Sequence, residues 1–245
     1  MTVKIFDDYN SMSAAAADII IETVKNKPEA LLCFATGNTP VRTYEILTEK
    51  AKGSNIDFSK CFCIGLDEWI GVPKEKFGTC HYLLHHQVFN PLGVQSSQIH
   101  IFDGMNTNIK AECDKMDAVI DSKGGVDCMV VGIGINGHIG FNEPGVDVTL
   151  KAHEQDLHET TLASGQHYFN KPTPISKGIT LGLAQALKAK KLLLLANGKS
   201  KTAIIKQAVE GEVTNKIPAS YIQQADNAII IIDKEAGAQL SNKWN

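Results

Sequence analysis

Asn136, His138 and Glu143 arrive within eight residues, in the run Gly132-Ile-Gly-Ile-Asn-Gly-His-Ile-Gly-Phe-Asn-Glu-Pro-Gly145. A histidine changes charge near neutral pH and suits proton transfer. An amide and a carboxylate beside it can hold one ring nitrogen and fix the tautomer. Glycines let the backbone pass close to a ligand and take positive φ. A single loop histidine is more often structural than chemical, but polar neighbours on a glycine turn favour chemistry here. The letters Gly132-x-Gly134-x-x-Gly137 also match the dinucleotide fingerprint. That fingerprint needs a helix opening at the third glycine and an acid about 20 residues on. Pro144 and Gly145 would interrupt the helix, and no second apolar strand leads into Asp156, so nucleotide-cofactor binding is not expected.

Three further turns carry reactive or anion-binding types. Thr36-Gly37-Asn38-Thr39-Pro40 leads into a helical stretch, where free amides and the helix dipole favour a phosphate. It lacks the second glycine and Gly-Lys ending of a Walker loop. Asn197-Gly198-Lys199-Ser200-Lys201 offers two point charges for an anion, or merely two solvated lysines. Asp67-Glu68-Trp69 offers a general base. Neighbours on an extended chain point to opposite faces, so one of the two acids should reach a shared site. The bland reading is a surface acid or a helix cap. His81 and His85 have helical spacing, with His86 beside them. No glutamate follows His81, and Leu83, Leu84 and Val88 share the helix, so no metal site is expected.

The elements that must position these residues alternate. Apolar runs at 30–35, 61–66, 98–102, 126–131, 175–181, 191–196 and 228–232 predict strands. Helices are predicted over 11–27, capped by a serine, and over 41–52, with Thr39 as cap and Pro40 at the first position. Others are expected over 77–89, 108–122, from Lys201 to about 210, and as turns over 218–224. Strand alternating with helix implies an α/β fold: an open, mostly parallel sheet, Rossmann-like, with helices on both faces. The four turns each follow a strand, so in a parallel sheet they gather at its carboxyl edge, where ligands bind. No repeat or linker divides residues 1–245, which read as one domain. Residues 150–177 are rich in Thr, His, Gly and Pro and read as a cover over the site or a plain surface excursion.

Composition narrows the partners. Among 245 residues, 43% are hydrophobic and 21% charged, with a net charge of −3. That is an ordinary globular chain with no nucleic-acid or anionic-membrane footprint. Six cysteines form no CxxC pair, and four of them (Cys33, Cys61, Cys63, Cys128) lie in or beside apolar strands. With no secretory or membrane-spanning segment expected, this points to a reducing cytoplasm. Arg42 is the only arginine, so an anion site must rest on amides, lysine or that residue.

Taken together, Ala35-Thr-Gly-Asn-Thr-Pro40, Leu66-Asp-Glu-Trp69, the 132–144 run and Gly178-Ile-Thr-Leu-Gly182 resemble the amino-sugar-phosphate deaminase/isomerases. Asp67-Glu-Trp-Ile, Phe77-Gly-Thr-Cys80, Lys123-Gly-Gly-Val-Asp127, Lys177-Gly-Ile-Thr-Leu-Gly182 and Ile217-Pro-Ala-Ser220 are similar to the galactosamine-6-phosphate branch. The resemblance spans about 30–232 and implies a ribose-5-phosphate-isomerase-like fold acting without a cofactor on a small sugar phosphate. The implied reaction converts galactosamine or glucosamine 6-phosphate and water to a ketose 6-phosphate and ammonia. The enolisation base would be Asp67, the ring-opening histidine His138, and its support Glu143, with Asn136 where some members have Asp. Thr36, Gly37, Asn38 and Thr39 would form the phosphate loop, with Lys201 as its lysine. A lid arginine of many glucosamine-specific members has no counterpart, leaving a lysine such as Lys171. No match exists for the allosteric activator site near Val146, His153, Gln155 and Asp156. The resemblance leaves open a 6-phosphogluconolactonase-type hydrolase, a non-enzymatic sugar-phosphate sensor, the epimer preferred and the oligomeric state.

Overall fold

A computed structural model describes residues 1–244. The main sheet is parallel throughout and its first strands along the chain are β1 (Thr2–Phe6), β2 (Leu31–Phe34) and β3 (Phe62–Gly65). In chain order the elements run β1, α1 (Tyr9–Asn26), β2, α2 (Val41–Gly53), β3, β4 (Asp67–Trp69) and α3 (Cys80–Leu84). A π-helical stretch, His85–Phe89, and α4 (Asn90–Leu92) follow, then β5 (Ile99–His100), α5 (Ile109–Ser122) and β6 (Cys128–Val131). The remainder is β7 (His153–Asp156), α6 (Glu159–Gly165), β8 (Lys177–Thr180), α7 (Leu183–Lys188), β9 (Leu192–Ala196), α8 (Thr202–Glu210), β10 (Ala228–Asp233) and α9 (Lys234–Gly237).

The main sheet has the order β1-β10-β9-β6-β2-β3-β5. From β2 the chain steps outward through β3 to β5, then returns to place β6 on the other side of β2. Between β2 and β6 the winding reverses, which opens a crevice at the carboxyl ends of those two strands. The strands bury both faces. On β2, Leu31 and Cys33 enter one core with α5, α7 and α8, whereas Leu32 and Phe34 enter the other with α1 and α2. Full burial of each such side chain stabilises the fold by about 1.5–3 kcal/mol.

The expected helices and strands are present, with local corrections. Asp8, not a serine, caps α1; Ser11 sits at its third position and closes a capping box. Thr39 does not cap α2, because Pro40 holds the cap position without a side-chain bond. The Tyr9 hydroxyl fills that role, accepting the Arg42 N–H at 3.1 Å and donating to the Thr39 carbonyl at 2.9 Å. The helix expected over 77–89 starts only at Cys80 and widens into the π-helical stretch. β1 was not expected: it is an edge strand with a mostly unburied, mixed pattern. Asp67-Glu68-Trp69 is not a turn but β4, the edge of a second, antiparallel sheet of order β4-β8-β7. Leu66 joins the two sheets, since its N–H donates to the Phe34 carbonyl and its carbonyl accepts from Leu181. The small sheet therefore lies over the carboxyl edge of the large one.

Candidate active site

A cavity of about 460 Å³ opens at that edge. Its wall includes Thr36, Gly37, Asn38 and Thr39 after β2, Asp67 on β4, Gly134 and His138 after β6, and Ser200 and Lys201 after β9. The four segments expected to converge do so, three as turns and Asp67–Trp69 as β4. Asn136 and Glu143 are not on the wall; they stand behind His138. From the 150–177 segment, Thr160, Thr161, Ser164 and Tyr168 also line the cavity. Lys171 does not, and is exposed. Arg42 is occupied by Asn10 and Glu45. Lys201 is thus the one lysine or arginine among the described lining residues.

The anion-binding end is built from backbone. Gly37 has φ +119°, a conformation that glycine takes without strain. Among the described residues, the amide N–H groups of Gly37 and Thr39 have no protein acceptor, and that of Asn38 faces the Tyr168 hydroxyl. These donors lie just ahead of α2, whose dipole adds positive potential. Lys201 reaches the Ile133 carbonyl at 2.6 Å, which holds its ammonium at the cavity, and burial lowers its pKa.

At the other end, Asp67 is 6% exposed, and burial pushes its carboxyl up to about 6, against the opposing pull of the Cys80 thiol and the His138 charge. That places its proton affinity near neutrality, where a base is effective. Glu68 leaves the opposite face of β4, as alternation requires. It accepts the backbone N–H groups of Trp69, Cys80 and His81 at 2.7–3.0 Å and so caps α3. Burial pushes Glu68 up to about 7.

His138 lies flat on the backbone of Gly134. A Cβ at Gly134 would stand 2.4–2.6 Å from three ring atoms, so only glycine fits beneath the imidazole. The ring Nδ1 is 3.1 Å from the Thr161 hydroxyl and 3.5 Å from Glu143 Oε2. Burial raises the Glu143 carboxyl, but bonds from His138, Thr161 and Asn136 outweigh it and leave the pKa lowered. Glu143 is therefore an acceptor, which makes Nδ1 the protonated nitrogen and Nε2 the basic one. Nε2 has no protein hydrogen bond among the described residues. Asn136 does not hold the ring. Its amide donates to Glu143 Oε2 at 2.9 Å, and its carbonyl accepts the His138 N–H at 3.3 Å.

Two contributors were not found in sequence, Thr161 and Cys80. Thr161 sits in a segment with weak patterning, and the Phe77-Gly-Thr-Cys80 run assigned Cys80 no role. His81 of α3 packs on His85 of the π-helical stretch with centroids 4.4 Å apart, and His86 stacks on Tyr82 at 4.0 Å. Among the described residues no group of three or more His, Cys, Asp or Glu could hold a metal ion. Among the described residues, no helix is long and apolar enough to cross a membrane.

Comparisons with known proteins show the family and the fold. A family model described as glucosamine-6-phosphate isomerases/6-phosphogluconolactonase matches residues 7–231. A glucosamine-6-phosphate deaminase of Halothermothrix orenii is 39% identical over 241 residues, covering 98% of this chain and 100% of that protein. One from Thermoanaerobacter sp. (strain X514) is 38% identical over 244 residues, covering 99% and 96%. A solved monomeric glucosamine-6-phosphate deaminase superposes with a TM-score of 0.94 at 33% identity, covering 97% of this chain and 99% of that one. The 6-phosphogluconolactonase of Trypanosoma brucei shares the fold, with a TM-score of 0.80 at 16% identity over 98% of both chains.

Proposed function

The chain belongs to the glucosamine-6-phosphate isomerase/6-phosphogluconolactonase family, and we propose that it is a hexosamine-6-phosphate deaminase/isomerase. The observation that carries this is the pairing, across one cavity, of an anion cradle with a buried carboxyl and an oriented imidazole. The named relatives above 30% identity are glucosamine-6-phosphate deaminases, which supports the glucosamine epimer ahead of the galactosamine branch suggested by local sequence.

In this reading the 6-phosphate sits against the Gly37, Asn38 and Thr39 amides, with the Lys201 ammonium beside it. His138 Nε2 takes the proton from O1 and returns it to O5, which opens the ring. Glu143 and Thr161 keep Nδ1 protonated, and the ionised Glu143 stabilises the transient imidazolium. Asp67 then removes the C2 proton; that electron pair forms the C1–C2 double bond and the carbonyl pair moves to O1, which takes a proton from the medium to complete the enolamine. Asp67 returns the proton to C1, leaving an iminium at C2. Water adds there and ammonia departs, giving the ketose 6-phosphate. Each positioned proton transfer is worth about 10²–10⁴-fold.

The test is ammonia release from glucosamine 6-phosphate and galactosamine 6-phosphate, beside lactone hydrolysis of 6-phosphogluconolactone. Turnover of either amino sugar with no lactonase activity is expected. Lactone hydrolysis without ammonia release would replace this reading with the hydrolase. The same proposal includes a cytoplasmic location, a small sugar phosphate as partner and a covering role for the 150–177 segment, supported by the six unpaired cysteines and by Thr160, Thr161, Ser164 and Tyr168 at the cavity.

A further inference from the structure

Asp67 and Glu68 leave β4 in opposite directions, yet both contact the first turn of α3. Glu68 pins that turn by accepting the Cys80 and His81 N–H groups at 3.0 and 2.7 Å. Cys80, the first residue of α3, is thereby held with its sulfur 3.3 Å from Asp67 Oδ1 and 3.3 Å from Thr36 Oγ1. Cys80 is 1% exposed and is not on the cavity wall, so it touches no ligand. Asp67 Oδ2 takes no protein hydrogen bond among the described residues, and Oδ1 takes only this one.

The direction of these bonds follows from counting protons. An ionised carboxylate only accepts, so the Cys80 S–H must donate to Asp67. The sulfur then accepts the Thr36 O–H. Burial foremost, and then the Asp67 and Glu68 charges, push the Cys80 thiol well above its ordinary range, so it keeps its proton.

We propose that Thr36 and Cys80 form a positioning chain for Asp67, in which a thiol orients one carboxylate oxygen and leaves the other free for the carbon acid. This rests on the reading of Asp67 as the enolisation base. A thiol is a weak donor, so it fixes the carboxylate plane while withdrawing little basicity. The chain also ties the base to the 36–40 loop, which would hold the phosphate at the far end of the same substrate. Because the Thr36 hydroxyl proton is committed to sulfur, phosphate is left to the backbone amides and Lys201.

The experiment compares Cys80→Ala, Cys80→Ser, Thr36→Val and the Cys80→Ala/Thr36→Val double variant. Asp67 is titrated directly by carboxyl carbon NMR, and kcat and KM are measured across pH. One net hydrogen bond corresponds to a rise of about half to one pH unit in the Asp67 titration of Cys80→Ala. The same bond gives a fall in kcat of roughly 3- to 10-fold, with KM within about twofold. Thr36→Val moves both readouts the same way by less, and the double variant goes no further than Cys80→Ala. Cys80→Ser supplies a donor again and returns the titration to the original position or below it. A Cys80→Ala protein whose Asp67 titrates unchanged, or that matches Cys80→Ser, overturns the proposal. Should Cys80→Ala fail to fold, Thr36→Val still decides, since it leaves the core thiol in place. Absence of ammonia release by the unmodified protein would overturn the deaminase reading alone, because the NMR titration needs no turnover.

Discussion

Replacing Asp67 by asparagine is expected to abolish ammonia release and, at the same time, to make the protein more stable. Burial moves the Asp67 carboxyl from an ordinary 3.8 to about 6. The folded state therefore binds this proton more tightly than the unfolded chain does. The contribution is fully present below pH 3.8 and is lost as pH rises through about 6. At about 1.4 kcal/mol per pH unit, the ionised carboxylate costs the native state about 3 kcal/mol at pH 8 and about 1.6 kcal/mol at pH 5. Asparagine has nearly the same shape, keeps an acceptor for the Cys80 thiol and carries no charge to desolvate. Its advantage should follow that pH dependence. Glu68 is raised as well, in part by the Asp67 charge, so neutralising residue 67 relieves Glu68 in the same direction. Urea unfolding of both proteins at pH 5 and pH 8 reads the difference directly. An asparagine variant that is less stable than the parent at pH 8, or whose advantage does not grow between pH 5 and pH 8, would refute the reasoning that burial sets this carboxyl.

Three other outcomes are expected. The acidic limb of kcat/KM should fall near pH 6, since the base must be ionised; a limb near pH 4 would assign the base elsewhere. Gly134→Ala places a methyl group into the imidazole at 2.4 Å and should displace His138, lowering kcat by about 10²-fold while circular dichroism stays unchanged. Lys201→Met should lower kcat/KM for the phosphorylated sugar by about 10²-fold or more, mainly through KM, as measured by steady-state kinetics.

Much of this architecture is written in local patterns. Short apolar runs ending on polar, glycine-rich turns mark β2, β3, β6 and β9, and parallel pairing then forces their turns to one edge. Periodicity does not reveal β1, whose mixed burial has no clean alternation, or β4 and β7, which are short strands of a second sheet. Site residues on the motif-bearing turns could be read in advance. Cys80 and Thr161 could not, because each acts through one long-range contact that composition does not encode: a thiol against a carboxylate 13 positions away, and a hydroxyl against a ring 23 positions away. The Glu68 cap of α3 is similar, since nothing in Asp67-Glu68 alone says which acid turns inward.

The central claim is that one cavity holds the sugar's phosphate at the β2 turn while presenting C2 to residue 67. The structure of the Asp67→Asn protein with glucosamine 6-phosphate bound tests this most directly. Phosphate oxygens are expected within hydrogen-bond distance of the Gly37, Asn38 and Thr39 amides and of Lys201 Nζ, with C2 facing the residue 67 side chain and O5 near His138 Nε2. A phosphate bound elsewhere, or a sugar whose C2 faces away from residue 67, would contradict it.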